Sequence, residues 1–212
     1  MNRNYQKELE RILSGLSPEA PPRLLLHSCC APCSSYVIEY LSKYFRITVF
    51  YYNPNLYPDE EYEKRVNEQM RFIEAFPAKY PVDFIRGAFE KERFYEAVKG
   101  YEAEPEGGRR CFLCYRLRLT ETARVAKEAG ADYFTTTLSI SPLKNAAKLN
   151  EIGEELAGEY GVTYLQSDFK KKNGYHRSVE LSKEYGLYWQ DYCGCAFSRQ
   201  EREGQCAPGE SR

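Results

Sequence analysis

The sequence predicts an α/β fold, with a parallel sheet in a three-layer α/β/α arrangement. Three observations predict it. Apolar runs of strand length recur at Arg23–His27, Ile47–Tyr52, Val82–Arg86, Tyr133–Leu138 and Val162–Leu165, rich in leucine, β-branched and aromatic residues. Segments with helical spacing of apolar residues separate them, and Gly, Pro or Asn mark most joins. Strands alternating with helices build βαβ units, whose sheets are covered on both faces. The 212 residues suffice for one sizeable core and fall short of two comfortable domains. A hydrophobic content of 42% excludes a disordered chain, and no internal repeat is present.

The elements follow in order. Residues 5–16 read as a short amphipathic helix, and Pro18, Pro21 and Pro22 break it before the first strand. Pro32 suits the first turn of the next helix, where a missing N–H costs nothing, with Val37, Ile38 and Leu41 as its apolar face. Asn53-Pro54-Asn55 stops the second strand. A charged helix through Tyr62, Val66, Met70 and Ile73 leads to the third strand, and 90–99 are helical before a glycine-rich loop to Arg110. The helix opening at Cys111 ends at Gly130. Ser141-Pro142 is a helix start, with Leu149, Ile152 and Leu156 at helical spacing and Gly161 as the stop. A last helix over about 175–185 leads through Gly186 to Cys193-Gly194-Cys195.

Thirty Lys+Arg against 31 Asp+Glu leave a net charge of -1, which excludes a general DNA coater and leaves room for a local basic patch. No apolar run approaches the roughly 18–20 residues of a membrane span, and the opening residues lack a signal peptide's apolar stretch. A soluble, cytoplasmic protein is expected. In a reducing compartment, clustered cysteines bind metal or do redox chemistry. Seven of the eight cluster here: Cys29, Cys30 and Cys33; Cys111 and Cys114; Cys193 and Cys195. Cys206 stands alone in a polar tail.

The first group follows the first strand and opens a helix, where peptide dipoles and free N–H groups favour thiolates. In parallel sheets, ligands gather beyond the carboxyl ends of the strands. Cys111 and Cys114, at i and i+3, share one helix face. Together with Cys29 and Cys30 they make four thiolates, the count for a cubane iron–sulfur cluster or structural zinc, between which spacing does not decide. Cys193-Gly194-Cys195 either closes into a strained, reducible ring or ligates a second metal with Cys33 or Asp191. The run Asp168 to Ser178, with Lys170, Lys171, Lys172 and Arg177 among aromatics, reads equally as an RNA-binding loop and as a solvated one. Lys144 sits at an expected helix start, which suits a phosphate or an ordinary cap. His27, in an apolar strand, reads as a satisfied core histidine.

Together, His27-Ser28-Cys29-Cys30-Ala31-Pro32-Cys33, Asn53-Pro54-Asn55, Arg110 to Arg118, Thr136 to Pro142, Phe169 to Ser178 and Tyr192 to Cys195 resemble the QueH family of epoxyqueuosine reductases, over about 22–200. The resemblance implies a fold like the ATP-pyrophosphatase (HUP) nucleotide-binding layer, with Ser28–Cys33 replacing its phosphate loop and a C-terminal helical and loop extension carrying the CxC motif. It implies cobalamin-independent reduction of epoxyqueuosine to queuosine at the wobble base of the Asp, Asn, His and Tyr tRNAs, with an unidentified electron donor. It also implies a [4Fe–4S] cluster on Cys29, Cys30, Cys111 and Cys114, a redox-active Cys193/Cys195 pair, and a second mononuclear iron. Removing an epoxide oxygen as water takes two electrons and two protons. Asp168, Asp191, Tyr115 and Tyr192 are the candidate acids by proximity to the motifs. The expected domain layout is a lead-in over 1–21, one catalytic domain over 22–200 with its extension from about 169, and a flexible tail over 201–212. The competing expectation is a zinc-stabilised, non-enzymatic tRNA-binding protein.

Overall fold

The computed structural model describes residues 3–205; Cys206 and most of the expected tail lie outside the described residues. Five strands, β1 (Arg23–His27), β2 (Arg46–Tyr51), β3 (Asp83–Arg86), β4 (Tyr133–Thr136) and β5 (Thr163–Tyr164), form one sheet in the order β3-β2-β1-β4-β5. Every pairing is parallel, as the alternating pattern predicts. The helices are α1 (Tyr5–Ser14), α2 (Ala31–Leu41), α3 (Asp59–Ala75), α4 (Lys91–Val98), α5 (Arg109–Glu128), α6 (Ala146–Tyr160), α7 (Gly174–Glu184) and α8 (Ala196–Gln205). None of them is long and apolar enough to cross a membrane.

Strand β1 shows why the layers form. Leu24 and Leu26 face a core built with Leu9 and Leu13 of α1, Val37 and Leu41 of α2, and Phe72 of α3. Leu25 faces the opposite core, with Leu119 and Ala123 of α5 and Leu149, Ile152 and Leu156 of α6. The period-two alternation of a strand thus fills both layers with an uninterrupted leucine run. At Gly153 of α6, a β-carbon would meet the Tyr164 ring at 2.4 Å, so glycine there sets how closely α6 approaches β5.

The structure corrects four expectations. Helix α1 is no separate lead-in, because Leu9 and Leu13 are fully part of the main core. Strand β4 stops at Thr136, two residues early: the Thr136 hydroxyl accepts the Leu138 N–H and turns the chain into a 3-10 segment, Thr137–Ile140. Helix α6 begins at Ala146 rather than Ser141, because the Asn145 side chain caps it by accepting the Lys148 N–H. The helix over 175–185 is not the last, since α8 runs on to Gln205 and takes in the start of the expected tail.

His27 is fully buried, with Nδ1 2.8 Å from the Thr136 hydroxyl and Nε2 3.1 Å from the Tyr52 carbonyl. Burial, reinforced by the Arg118 charge, pulls its pKa down to about 3. The unfolded chain takes up this proton below about pH 6.5 while the folded chain does not, so acidification favours unfolding by up to ~1.4 kcal/mol per pH unit. The thermal midpoint should fall between about pH 6.5 and 5, and fall less in His27→Gln. A pH-dependence identical in the two proteins would assign the loss to other groups.

Candidate functional site

The strand order reverses direction between β1 and β4, which opens a crevice at their carboxyl ends. The first cysteine group sits in it. The Ser28 N–H still donates to the Phe50 carbonyl, after which the chain leaves the sheet, and Cys30 becomes the N-cap residue of α2 with Pro32 in its first turn. Three bonds hold this loop: the Ser28 and Ser34 hydroxyls donate to Gln69 Oε1 at 2.7 and 2.8 Å, and Asn53 Nδ2 donates to the Ser28 carbonyl at 2.9 Å. The Sγ atoms of Cys29, Cys30 and Cys33 lie within 4.8 Å of one another. From the 3-10 segment after β4, Thr137 meets this group, its hydroxyl 3.4 Å from Cys29 Sγ and 3.3 Å from the Cys29 nitrogen.

Charge within the trio concentrates on one sulfur. Hydrogen bonds from the Cys30 and Cys33 thiols hold Cys29 well below its ordinary value against the cost of burial, and the Arg118 charge and Thr137 hydroxyl add to this. The same bonds push Cys30 up to about 12 and Cys33 well upward.

Cys111 and Cys114 enter from the first turns of α5 and are buried. The Gly107 N–H points at Cys111 Sγ, 3.2 Å away. One turn below Cys114, the buried Arg118 places Nη1 3.9 Å from its sulfur, donates from Nε to His27 Nε2 at 3.3 Å, and donates from Nη2 to Asn53 Oδ1. A single guanidinium therefore connects α5 to the ends of β1 and β2. Burial raises Cys114 to about 12, with Arg118 opposing.

The CxC segment closes over this arrangement. Cys195 is buried in an apolar cluster with Phe94, Val98 and Cys114, and the Ser198 N–H points at its sulfur, 3.4 Å away. Gly194 takes φ of 121°, and a β-carbon there would lie 2.4 Å from Leu56 and 3.0 Å from Arg65 Nη1, so only glycine fits. Buried Arg65 pairs with Glu61 at 2.6 Å and donates to the Cys193 carbonyl at 3.4 Å. The Tyr57 N–H donates to the Gly194 carbonyl at 2.8 Å. Helix α8 is tied back where Arg110 Nη2 donates to Glu201 at 2.7 Å. Every cysteine among the described residues, Cys193 and Cys195 included, is a free thiol.

A cleft of about 310 Å³ results, within the range of small-molecule sites. Cys29, Cys30, Cys33 and Cys193 line it beside Arg65, Arg118 and Lys144, while Cys111, Cys114 and Cys195 are buried. Of the candidate acids, Asp191 and Tyr192 line the cleft, whereas Asp168 and Tyr115 are not among its lining residues. Asp168 pairs with Lys170, and Tyr115 is held in the core beside Leu119 and Phe134. The cations expected to meet RNA are mostly engaged already. Lys144 pairs with Glu106 at 2.6 Å, Arg177 with Glu39 at 2.7 Å, and Lys172 with Glu10; Lys171 makes no ion pair among the described residues. Arg65 and Arg118 were not singled out from the sequence. Their signal is register: each lies one helical turn from a partner, Glu61 or Cys114, on the buried face of its helix.

Soft thiolate donors at ligand spacing, beside two buried guanidinium groups that balance anionic charge, suit a thiolate-bound metal centre. The family model described as epoxyqueuosine reductase QueH matches residues 24–201. This chain belongs to the QueH family. It is 42% identical to the epoxyqueuosine reductase QueH of Staphylococcus epidermidis over 94% of this chain and 86% of the relative. Against the Streptococcus pyogenes protein the identity is 42% over 92% and 78%, and against that of Thermotoga maritima 37% over 84% and 91%. Among solved structures, the phosphoadenylyl-sulfate reductase of Candida auris overlays with a TM-score of 0.37 and 13% identity, covering 99% of this chain and 97% of that one.

In metal-free, reduced protein, Cys29 should be the first of the seven described cysteines alkylated by iodoacetamide near neutral pH, and Thr137→Val should slow it. Labelling of each cysteine over time, read by mass spectrometry, checks this. Faster labelling at Cys30 or Cys33 would reverse the charge assignment.

Proposed function

We propose that the chain reduces epoxyqueuosine to queuosine at the wobble position of tRNA, the last step of queuosine biosynthesis, in the cytoplasm. The substrates would be the Asp, Asn, His and Tyr tRNAs, with an external electron donor. The observation that carries this reading is a thiol-lined cleft at the switch point of a chain whose relatives bear that name. A closed structural zinc site has four inward-facing ligands and no access; here the Cys29, Cys30 and Cys33 trio opens on a cleft, which favours the reductase over a zinc-stabilised RNA binder.

Cys29 and Cys30, with Cys111 and Cys114, are the proposed holders of a [4Fe–4S] cluster, which when bound supplies single electrons beside the substrate. Cys33, on the same cleft, is left to hold a second, mononuclear iron, which iron above four per chain would reveal. The chain's own part is distinct. Opening the epoxide and expelling its oxygen as water consumes two electrons and two protons. Oxidising the Cys193/Cys195 dithiol to a disulfide releases the same number of each, and the external donor restores the dithiol. Asp191 and Tyr192, at the wall of the cleft, are the proposed proton donors to the leaving oxygen. Arg65 holds the Cys193 carbonyl and so fixes the dithiol relative to α2. Lys144 keeps its charge against burial because Cys193, Tyr115 and the paired Glu106 face it, and so holds Glu106 in place at the wall of the cleft.

Iron, sulfide and zinc analysis of anaerobically purified protein tests the assignment. About four irons and four sulfides are expected in the wild type and lost in Cys30→Ser and Cys111→Ser. Cys193→Ser and Cys195→Ser should keep both yet lose turnover of epoxyqueuosine-containing tRNA by about 10³-fold or more. Equal iron loss in all four variants would make the CxC pair a metal ligand instead. Zinc without sulfide in the wild type would overturn the reductase.

A further inference from the structure

Six large apolar side chains are notably exposed among the described residues, and three of them, Leu143 (57%), Tyr175 (39%) and Trp189 (47%), line the one cleft that holds the thiols. They come from unrelated segments: the β4–α6 connection, the first turn of α7, and the loop before Cys193. Scattered exposed apolar residues need no explanation, but convergence of three on one mouth marks a contact surface. We propose that Trp189, Tyr175 and Leu143 form a stacking rim for unpaired nucleobases of a single-stranded RNA loop, so that one nucleotide enters the cleft while its neighbours lie on the rim. This proposal rests on the tRNA reading above and names the residues that would carry the binding.

Three features favour nucleobases over another occupant. Exposed aromatic faces stack on any base, whatever the sequence. Arg202, which makes no ion pair among the described residues, lines the same cleft, where the backbone of a bound loop would pass. Two further lining side chains hold a buried polar atom without a partner, Arg65 Nη2 as donor and Gln190 Oε1 as acceptor; a base edge presents donors and acceptors side by side and can satisfy both. An apolar peptide would leave this cation and both orphaned atoms unmet. The lysine-rich run is less suited to that contact, because Lys170, Lys172 and Arg177 are already ion-paired within the protein.

Trp189 is the single tryptophan of the chain, so its fluorescence reports on the rim directly. The experiment titrates the holoenzyme, at fixed salt, with an unmodified anticodon stem–loop of tRNA-Tyr and with a blunt duplex of the same stem. Quenching by the stem–loop and not by the duplex is expected. Trp189→Ala should weaken stem–loop binding by about 5- to 150-fold, with Trp189→Phe recovering most of it. Met70→Ala, equally exposed and not among the cleft residues, should bind as the wild type does. The rim alone falls if the wild type binds the stem–loop with unchanged fluorescence and Trp189→Ala binds it equally well, or if Trp189→Ala weakens duplex and stem–loop alike. A wild type that binds neither RNA overturns the rim and the tRNA reading together.

Discussion

A guanidinium group cannot shed its charge to escape burial, and Arg118 is buried in the centre of the site. Removing such a charge from water costs several kcal/mol unless acceptors and anions surround it. What surrounds it decides the rest. His27 must stay neutral, Asn53 must turn its oxygen to Arg118 and thereby its amide to the Ser28 carbonyl, and the Cys114 sulfur faces Nη1. The Cys29 loop, the end of β2 and the start of α5 are thus held by one cation. The negative charge that the cation tolerates is sulfur's.

That arrangement suits the place the cysteines occupy, a helix N-terminus beyond the carboxyl end of β1. A helix N-terminus offers partial positive charge and free N–H groups to whatever anion is present. In this chain the loop before α2 carries thiols, so the field acts on sulfur rather than on a phosphate oxygen. Two buried arginines, from α3 and α5, extend the same field across the cleft. The anionic group that this field favours at the switch point is a sulfur of the chain itself, that of Cys29.

The sheet was legible because its strands are unambiguous: β1 is a leucine run with alternating faces, bounded by prolines and by cysteines. The cysteine groups were legible because spacing alone separates them from scattered core thiols. Strand β4 and helix α6 were misjudged at the same place, since Thr136 and Asn145 use side chains to end one element and begin the next, which hydrophobic pattern does not register. Helix α8 was missed because it is short and polar and follows a Cys-Gly-Cys turn. The paired state of the lysine-rich run was invisible for another reason: its acids Glu10 and Glu39 lie more than a hundred residues away in sequence. Arg65 and Arg118 look like surface charges until helical register sets them among apolar neighbours.

The seat of Gly194 carries one further consequence. Chemists who wish to make a dithiol more or less oxidising ordinarily vary what lies between the two sulfurs. Here Leu56 and Arg65 occupy the space any side chain would need, and the backbone angle excludes one besides. The spacer is therefore a closed dial. In the proposed dithiol role, variation in this pair among laboratory variants has to come from its walls, from Ser198 beside one sulfur, Arg65 at the neighbouring carbonyl, and the phenyl ring of Phe94 behind.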